Sequence, residues 1–385
     1  MIARLDKLFH EKKEAYTKFL DFRGVSAQRR LDLLQDLLDL DYYANVAAPK
    51  KHRLVKALIR LSGQAELYPQ CFTLTNLLKE ENPVAGGSFG DVYKGKLGDQ
   101  CVAVKMMRVF GESDIDALLK TFSREALIWR QLCHPNLLPF FGLYYFQERL
   151  CLVSPWMGNG HIREFLKKES YGIDRLLSLI LDIALGVEHL HKEGIVHGDL
   201  KGENIFVTDS GRACIADFGL CSIITSISSI QFTSSTRTRG TTRYHAPELH
   251  RGEDNDLRSD IYALACVAYE LLTGNRLFPE LRTDGAVALA VLNGRRPPRS
   301  PSCSGTPSLD SLWSLLQHCW EGEPPMRPMA GQIVERLIGP DIQAKKTESI
   351  ADWDDTFTPR FRRYVAGSRP LPSLAEFEHI FFGDG

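Results

Sequence analysis

Two short hydrophobic stretches, Ile205-Phe206-Val207 and Ala213-Cys214-Ile215-Ala216, read as a strand pair, and each borders a run of polar residues. Before the first comes His197-Gly198-Asp199-Leu200-Lys201-Gly202-Glu203-Asn204, and after the second comes Asp217-Phe218-Gly219. One short segment thus carries a carboxylate, a lysine and an amide, and a second carboxylate follows the strand pair. A surface turn has no need of that combination; a reactive site does.

The surrounding pattern divides the chain. Over residues 1–71 apolar side chains recur on one helical face, Leu31, Leu34, Leu37 and Leu38 after a Ser26 cap, then Leu54, Ala57, Leu58 and Leu61. The basic cluster Lys50-Lys51-His52-Arg53 between them reads as a solvated turn. From Phe72 the pattern becomes alternating and β-branched, as in an antiparallel sheet, and after Gly158 it turns helical, with Leu176–Leu190 and Ile261–Leu272 as core helices. Residues 339–385 hold Phe357, Phe361, Tyr364, Phe377, Ile380, Phe381 and Phe382, too many large apolar groups for a solvated tail, so this piece is expected to dock on its own chain or on a partner protein.

With 385 residues, two or three compact units are expected. The formal charge of −1 provides no field to draw the whole protein to nucleic acid. Nine scattered cysteines without a Cys-x-x-Cys pair point to reduced thiols and an intracellular, cytoplasmic setting. The first residues are charged where a signal peptide is apolar, and Asp182, Glu188 and Glu270 interrupt the most apolar windows, so neither secretion nor a membrane span is expected.

Taken together, the two polar runs resemble the catalytic and metal-binding loops of a eukaryotic protein kinase, and the resemblance extends from about Phe72 to Ile338. Val84-Ala85-Gly86-Gly87-Ser88-Phe89-Gly90-Asp91-Val92 resembles the glycine-rich loop that covers ATP phosphates, with Ala85 where the family has its first glycine. Val102-Ala103-Val104-Lys105 resembles the next strand; Lys105 would pair the α- and β-phosphates and Ala103 and Val92 would roof the adenine. Glu125 is the best match for the helix glutamate that holds this lysine, with Glu112 as fallback. In Leu152-Val153-Ser154-Pro155-Trp156-Met157 the resemblance puts Ser154 at the gate behind the adenine, the Pro155 carbonyl and Met157 N–H against its edge, and Phe206 in the same nucleotide site.

By the same resemblance, Asp199 would accept the substrate hydroxyl proton, Lys201 would steady the γ-phosphate, Asn204 and Asp217 would hold Mg²⁺, and Thr241 would bridge Asp199 and Lys201. His197 would pack and bond the backbone, Asp260 would accept hydrogen bonds from the catalytic loop, and Glu248 would ion-pair with Arg327. Gly198 stands where most of the family has an arginine, so a phosphate on the Ser/Thr-rich stretch 226–242 cannot act through that position; the helical extension docking on the Glu125 helix is an alternative control. The implied architecture is an α+β, bilobal kinase fold over 72–338, with a helical extension at 1–71 and an aromatic-rich one at 339–385. The Cys319-Trp320 and Arg327-Pro328 signatures look closest to the tyrosine-kinase-like group, whose members mostly phosphorylate serine or threonine. An ATP- and Mg²⁺-dependent serine/threonine kinase acting on protein substrates in signalling is therefore expected. A pseudokinase scaffold, kept in view by Ala85 and Gly198, and an interaction module carried by the extensions are the competing readings.

Overall fold

The computed structural model describes residues 5, 13–44, 48–87, 90–107, 126–146, 149–218, 222–223, 241–300, 303–346, 352–353, 361 and 373–382. Two compact units emerge, one comprising Met1–Cys133, Pro139–Trp156 and Trp353–Gly385, the other His134–Leu138 and Met157–Asp352.

In the first unit the alternation of apolar residues builds a five-stranded antiparallel sheet of order β1-β2-β3-β5-β4, from β1 Leu77–Gly87, β2 Gly90–Leu97, β3 Gln100–Met107, β4 Gly142–Phe146 and β5 Arg149–Pro155. Successive side chains of a strand face opposite ways. Val102, Val104 and Met106 therefore enter a core with Leu74, Leu77, Leu97, Phe141, Cys151 and Val153, while Ala103 and Lys105 lie on the other face. Pairing of β1 slips on either side of Pro83, which has no N–H to give the ladder.

Among the described residues, the helices α1 Lys13–Leu20, α2 Gly24–Ala44 and α3 Ala48–Ala65 precede the sheet. All eight residues read from periodicity on α2 and α3 are at most 3% exposed. A fully buried leucine contributes about 1.5–3 kcal/mol, enough to hold helices that would be marginal alone. Two local expectations fail. Helix α2 already begins at Gly24, so Ser26 is inside it, and the Ser26 hydroxyl and carbonyl accept from Arg30 Nη1 at 2.6 and 2.9 Å instead of capping. Lys50–Arg53 belong to the first turns of α3, because a polar first turn of a helix has the same composition as a solvated turn.

The aromatic C-terminal residues that are described dock on this same unit. Phe361 stacks on Phe141 with ring centroids 4.1 Å apart, and the C-terminal helix Leu374–Phe382 packs against α2, with Phe377 fully buried and Phe381 stacked 6.1 Å from Phe19.

The second unit is mostly helical. Helix α4, residues 126–131, precedes it in the chain and belongs to the first unit; α5 Ile162–Lys168, α6 Ile173–Lys192 and α7 Leu257–Thr273 belong to the second. Helix α7 starts from a capping box in which Asp256 accepts from the Ser259 N–H, and every residue from Ser259 to Leu272 is buried. A helix covered all round is central to its unit, so its buried Asp260 and Glu270 must be compensated internally. Beside these helices lie two small antiparallel pairs, β6 Ile195–Val196 with β9 Ser222–Ile223 and β7 Ile205–Val207 with β8 Ala213–Ile215, the latter being the strand pair read from the sequence.

Candidate active site

In the first unit, cross-strand register sets Lys105 opposite Val92 and Leu152, and Ala103 opposite Lys94 and Ser154. Val92, Ala103, Lys105 and Ser154 therefore share the face turned away from the core. The glycine-rich run forms the β1–β2 hairpin, with Ala85 opposite Val92, Gly86 opposite Asp91 and Gly87 opposite Gly90; Val84 is half exposed. Its tip, Ser88 and Phe89, lies outside the described residues. So do Glu112, Glu125, the C-terminal positions Phe357 and Tyr364, and residues 226–240. Pro155 ends β5 opposite Val102.

In the second unit the polar loop is knitted around Asp199. Lys201 Nζ donates to Asp199 Oδ2 at 2.5 Å, and Asn204 Nδ2 donates to Asp199 O at 2.8 Å and to Oδ2 at 3.1 Å. Asp199 is 5% exposed, and its Oδ1 is buried with no hydrogen-bond partner among the described residues. A buried carboxylate oxygen left unsatisfied is costly and calls for a donor from a ligand. The Ala216 N–H donates to Asn204 O at 2.8 Å, which brings Asp217 next to Asn204. Asp217 has a φ of +65°, a left-handed conformation that few non-glycine residues adopt and that costs on the order of 1–3 kcal/mol.

His197 behaves as expected of a packing residue. The Asp199 N–H donates to its Nδ1 at 3.2 Å, so Nε2 carries the proton and donates to Ala216 O at 3.1 Å, while the ring packs edge-on to Phe218. Asp260 accepts from the N–H groups of His197 and Gly198 at 2.8 and 2.9 Å and contacts His191 Nε2 at 3.1 Å. Gly198 has a φ of +78°, a conformation that glycine adopts without strain. Phe206 lies opposite Cys214 in the β7–β8 pair. Thr241 begins a short 3₁₀ turn, Thr241–Tyr244, and its side chain is outside the described part.

A divalent cation fits the donor set. Asn204 uses its amide hydrogens on Asp199, leaving its carbonyl oxygen as the group able to bind metal. Among the described residues no group of three or more His, Cys, Asp or Glu could hold a metal by itself.

The sequence reading missed a second cluster. Arg163 on α5 bonds Glu203 of the loop, and the Tyr244 hydroxyl donates to Glu270 Oε2 on α7 at 2.8 Å. A Cβ at Gly202 would come within 2.8 Å of Arg163 Cγ and 3.0 Å of Glu270 Oε2, so this close approach needs glycine. Burial pushes the Glu270 carboxyl up from 4.5 to about 7, against the lowering effect of the Tyr244 hydrogen bond and of Arg163. The unfolded chain titrates this group near 4.5, so between about pH 4.5 and 7 the folded chain holds the extra proton, and stability falls as pH rises through that window. From about pH 5 to about pH 8, wild type should lose up to about 3 kcal/mol relative to Glu270→Gln, measured as unfolding free energy; parallel profiles would contradict the assignment.

Comparison with known proteins gives this geometry its context. Serine/threonine-protein kinase STY17 of Arabidopsis thaliana is 33% identical over 262 residues, covering 68% of this chain and 44% of the relative. Serine/threonine/tyrosine-protein kinase HT1 of the same plant is 32% identical over 66% of this chain and 64% of its own length. Dual specificity protein kinase shkC of Dictyostelium discoideum is 30% identical over 72% of this chain and 53% of its own. The chain thus spans about half to two thirds of the length of these relatives. No helix among the described residues is long and apolar enough to cross a membrane. The family model for protein tyrosine and serine/threonine kinases matches residues 78–337, from β1 through the last long helix of the second unit, Ala330–Ile338. The antiparallel sheet and the helical unit are the α+β kinase fold that the motifs implied, and the chain belongs to the protein tyrosine and serine/threonine kinase family.

Proposed function

We propose that the chain is a serine/threonine protein kinase that transfers the γ-phosphoryl group of ATP to hydroxyls of protein substrates, with Mg²⁺, in intracellular, cytoplasmic signalling. Residues 72–338 form the catalytic part in this reading, flanked by the extensions 1–71 and 339–385. The observation that carries it is the Asp199 carboxylate, with Oδ2 clamped by Lys201 and Asn204 and Oδ1 buried without a partner among the described residues.

Such a carboxylate is oriented to accept a hydrogen bond from a substrate hydroxyl and to take its proton as the bond to phosphorus forms. Lys201, held 2.5 Å from Asp199, places positive charge beside the transferring group, and Lys105 does the same for the phosphates behind it. Bound Mg²⁺ neutralises the phosphate oxygens, and Asn204 and Asp217 are the residues that would hold it. Glu125 would hold Lys105, and Thr241 would bridge Asp199 and Lys201. The face with Val92 and Ala103, with Val84, Ala85, Gly86, Gly87, Gly90 and Phe206, would enclose the nucleotide. Its adenine edge would meet the Pro155 carbonyl and the Met157 N–H, with Ser154 at the gate.

The purified chain, incubated with Mg²⁺ and γ-labelled ATP, should label a generic protein substrate or itself, and acid hydrolysis should return phosphoserine or phosphothreonine. Label found only on tyrosine would move the assignment within the family, as the dual-specificity and serine/threonine/tyrosine names of two relatives allow for those proteins. No Mg²⁺-dependent label at all would overturn it.

A further inference from the structure

Helix α4 is the segment directly after Glu125, and one of its charged residues is buried. Arg130 is 3% exposed, and its Nη2 donates to Asp39 Oδ1 on α2 at 3.0 Å, across 91 positions of sequence. The next residue repeats the link: Gln131 Nε2 donates to Gln35 Oε1 at 2.9 Å. Gln35 is fully buried and in turn donates from Nε2 to the same Asp39 Oδ1 at 3.0 Å. Two consecutive residues of α4 are thereby tied to two residues one turn apart on α2 through a single connected network.

Helix α2 is itself anchored. Asp32 Oδ1 accepts from the Gln70 N–H at 2.6 Å, and Gln28 Nε2 donates to Tyr68 O at 3.0 Å, so the helix is tied to the segment that leads into β1. Helix α4 also packs Trp129 against Phe140, ring centroids 5.1 Å apart. A buried ion pair adds little stability over a packed apolar pair of the same size, and its best-attested use is to fix register. Nothing but Asp39 is seen to compensate the Arg130 charge among the described residues, where Arg130 Nε has no hydrogen-bond partner.

We infer that Asp39 and Gln35 are positioning residues for phosphoryl transfer: they fix the register of residues 126–131, the helix that directly follows Glu125 in the chain. The inference rests on the proposed kinase reading, with Glu125 as the partner of Lys105. The helical extension is then a working part of the catalytic unit, not an appended module.

The test uses the full chain assayed well below each variant's unfolding midpoint. Asp39→Ala and Arg130→Met should each lower kcat about tenfold or more while KM for the protein substrate stays unchanged, and the double variant should be no worse than the poorer single one. Arg130→Lys, which keeps the charge, should recover part of the loss. Wild-type kcat in both single variants, or a double loss equal to the product of the single losses, overturns the inference. Amide hydrogen exchange over 126–131 gives a readout that needs no turnover: faster exchange in Asp39→Ala, with α6 unaffected, supports the brace, and unaltered exchange overturns it. If wild type transfers no phosphate while Asp39→Ala still speeds exchange over 126–131, the kinase reading is overturned and the brace stands.

Discussion

Asp199→Asn is expected to lower turnover at least about 10²-fold while leaving the fold and nucleotide affinity nearly intact. Asparagine is almost isosteric, and Asn204 Nδ2 keeps an oxygen to bond at Asp199 Oδ2 if the amide is turned that way. What disappears is the negative charge that faces Lys201 at 2.5 Å and, in the proposed reading, takes the substrate proton. Lys201, only 12% exposed at its side chain, also loses the charge that Asp199 sets against it. Lys105→Met and Asp217→Asn should cost at least as much, and they should also weaken nucleotide binding, because the proposed reading sets both residues on the phosphates and their metal. Single-turnover transfer with a labelled nucleotide separates these effects. Turnover within about threefold of wild type in all three variants would remove the enzymatic reading.

The second large effect concerns stability. Arg327 meets Glu248 through two parallel bonds, Nη1 to Oε1 at 2.6 Å and Nη2 to Oε2 at 2.7 Å, with side chains 0% and 4% exposed. The same guanidinium donates from Nε to Glu321 O at 2.9 Å and from Nη1 to Arg258 O at 3.0 Å, and lies over the Tyr262 ring. Arg327→Met would therefore leave a buried carboxylate without its cation and two carbonyls without their donor. A loss of about 3–5 kcal/mol is expected, a fall of several degrees in the thermal midpoint. Glu248→Gln keeps one acceptor and should cost less. Chemical denaturation showing a loss under about 1 kcal/mol for Arg327→Met would mean that the pair is not compensated in the way the geometry implies.

The split between what was legible and what was not follows the range of the interactions. Helical stripes on α2, α3, α6 and α7 and the alternation in β3 could be read because each is a periodicity of neighbouring residues, and the same local order exposes the Asp199–Asn204 segment and its strand pair. The Glu248–Arg327 pair was legible for another reason: both residues sit in motifs the resemblance supplies, and the two bonds at 2.6 and 2.7 Å join them. Where a local signal had two meanings, it misled. Ser26 could cap a helix or bond Arg30 within one, and Lys50–Arg53 could be a turn or a polar helical turn. Composition alone shows that the C-terminal aromatics need a surface. Only packing decides that Phe361 meets Phe141 and Phe381 meets Phe19. The Arg163–Glu203 and Tyr244–Glu270 contacts and the Asp39–Arg130 pair are of the same kind. Each joins residues far apart in the chain whose own neighbours give no sign of the partner, since a charge in a sequence looks alike whether water or a buried counter-ion will receive it. The sequence by itself determined which elements form and which chemistry the loops carry. Tertiary structure decided which charges are buried together, because burial is a property of the closed core and not of any one segment.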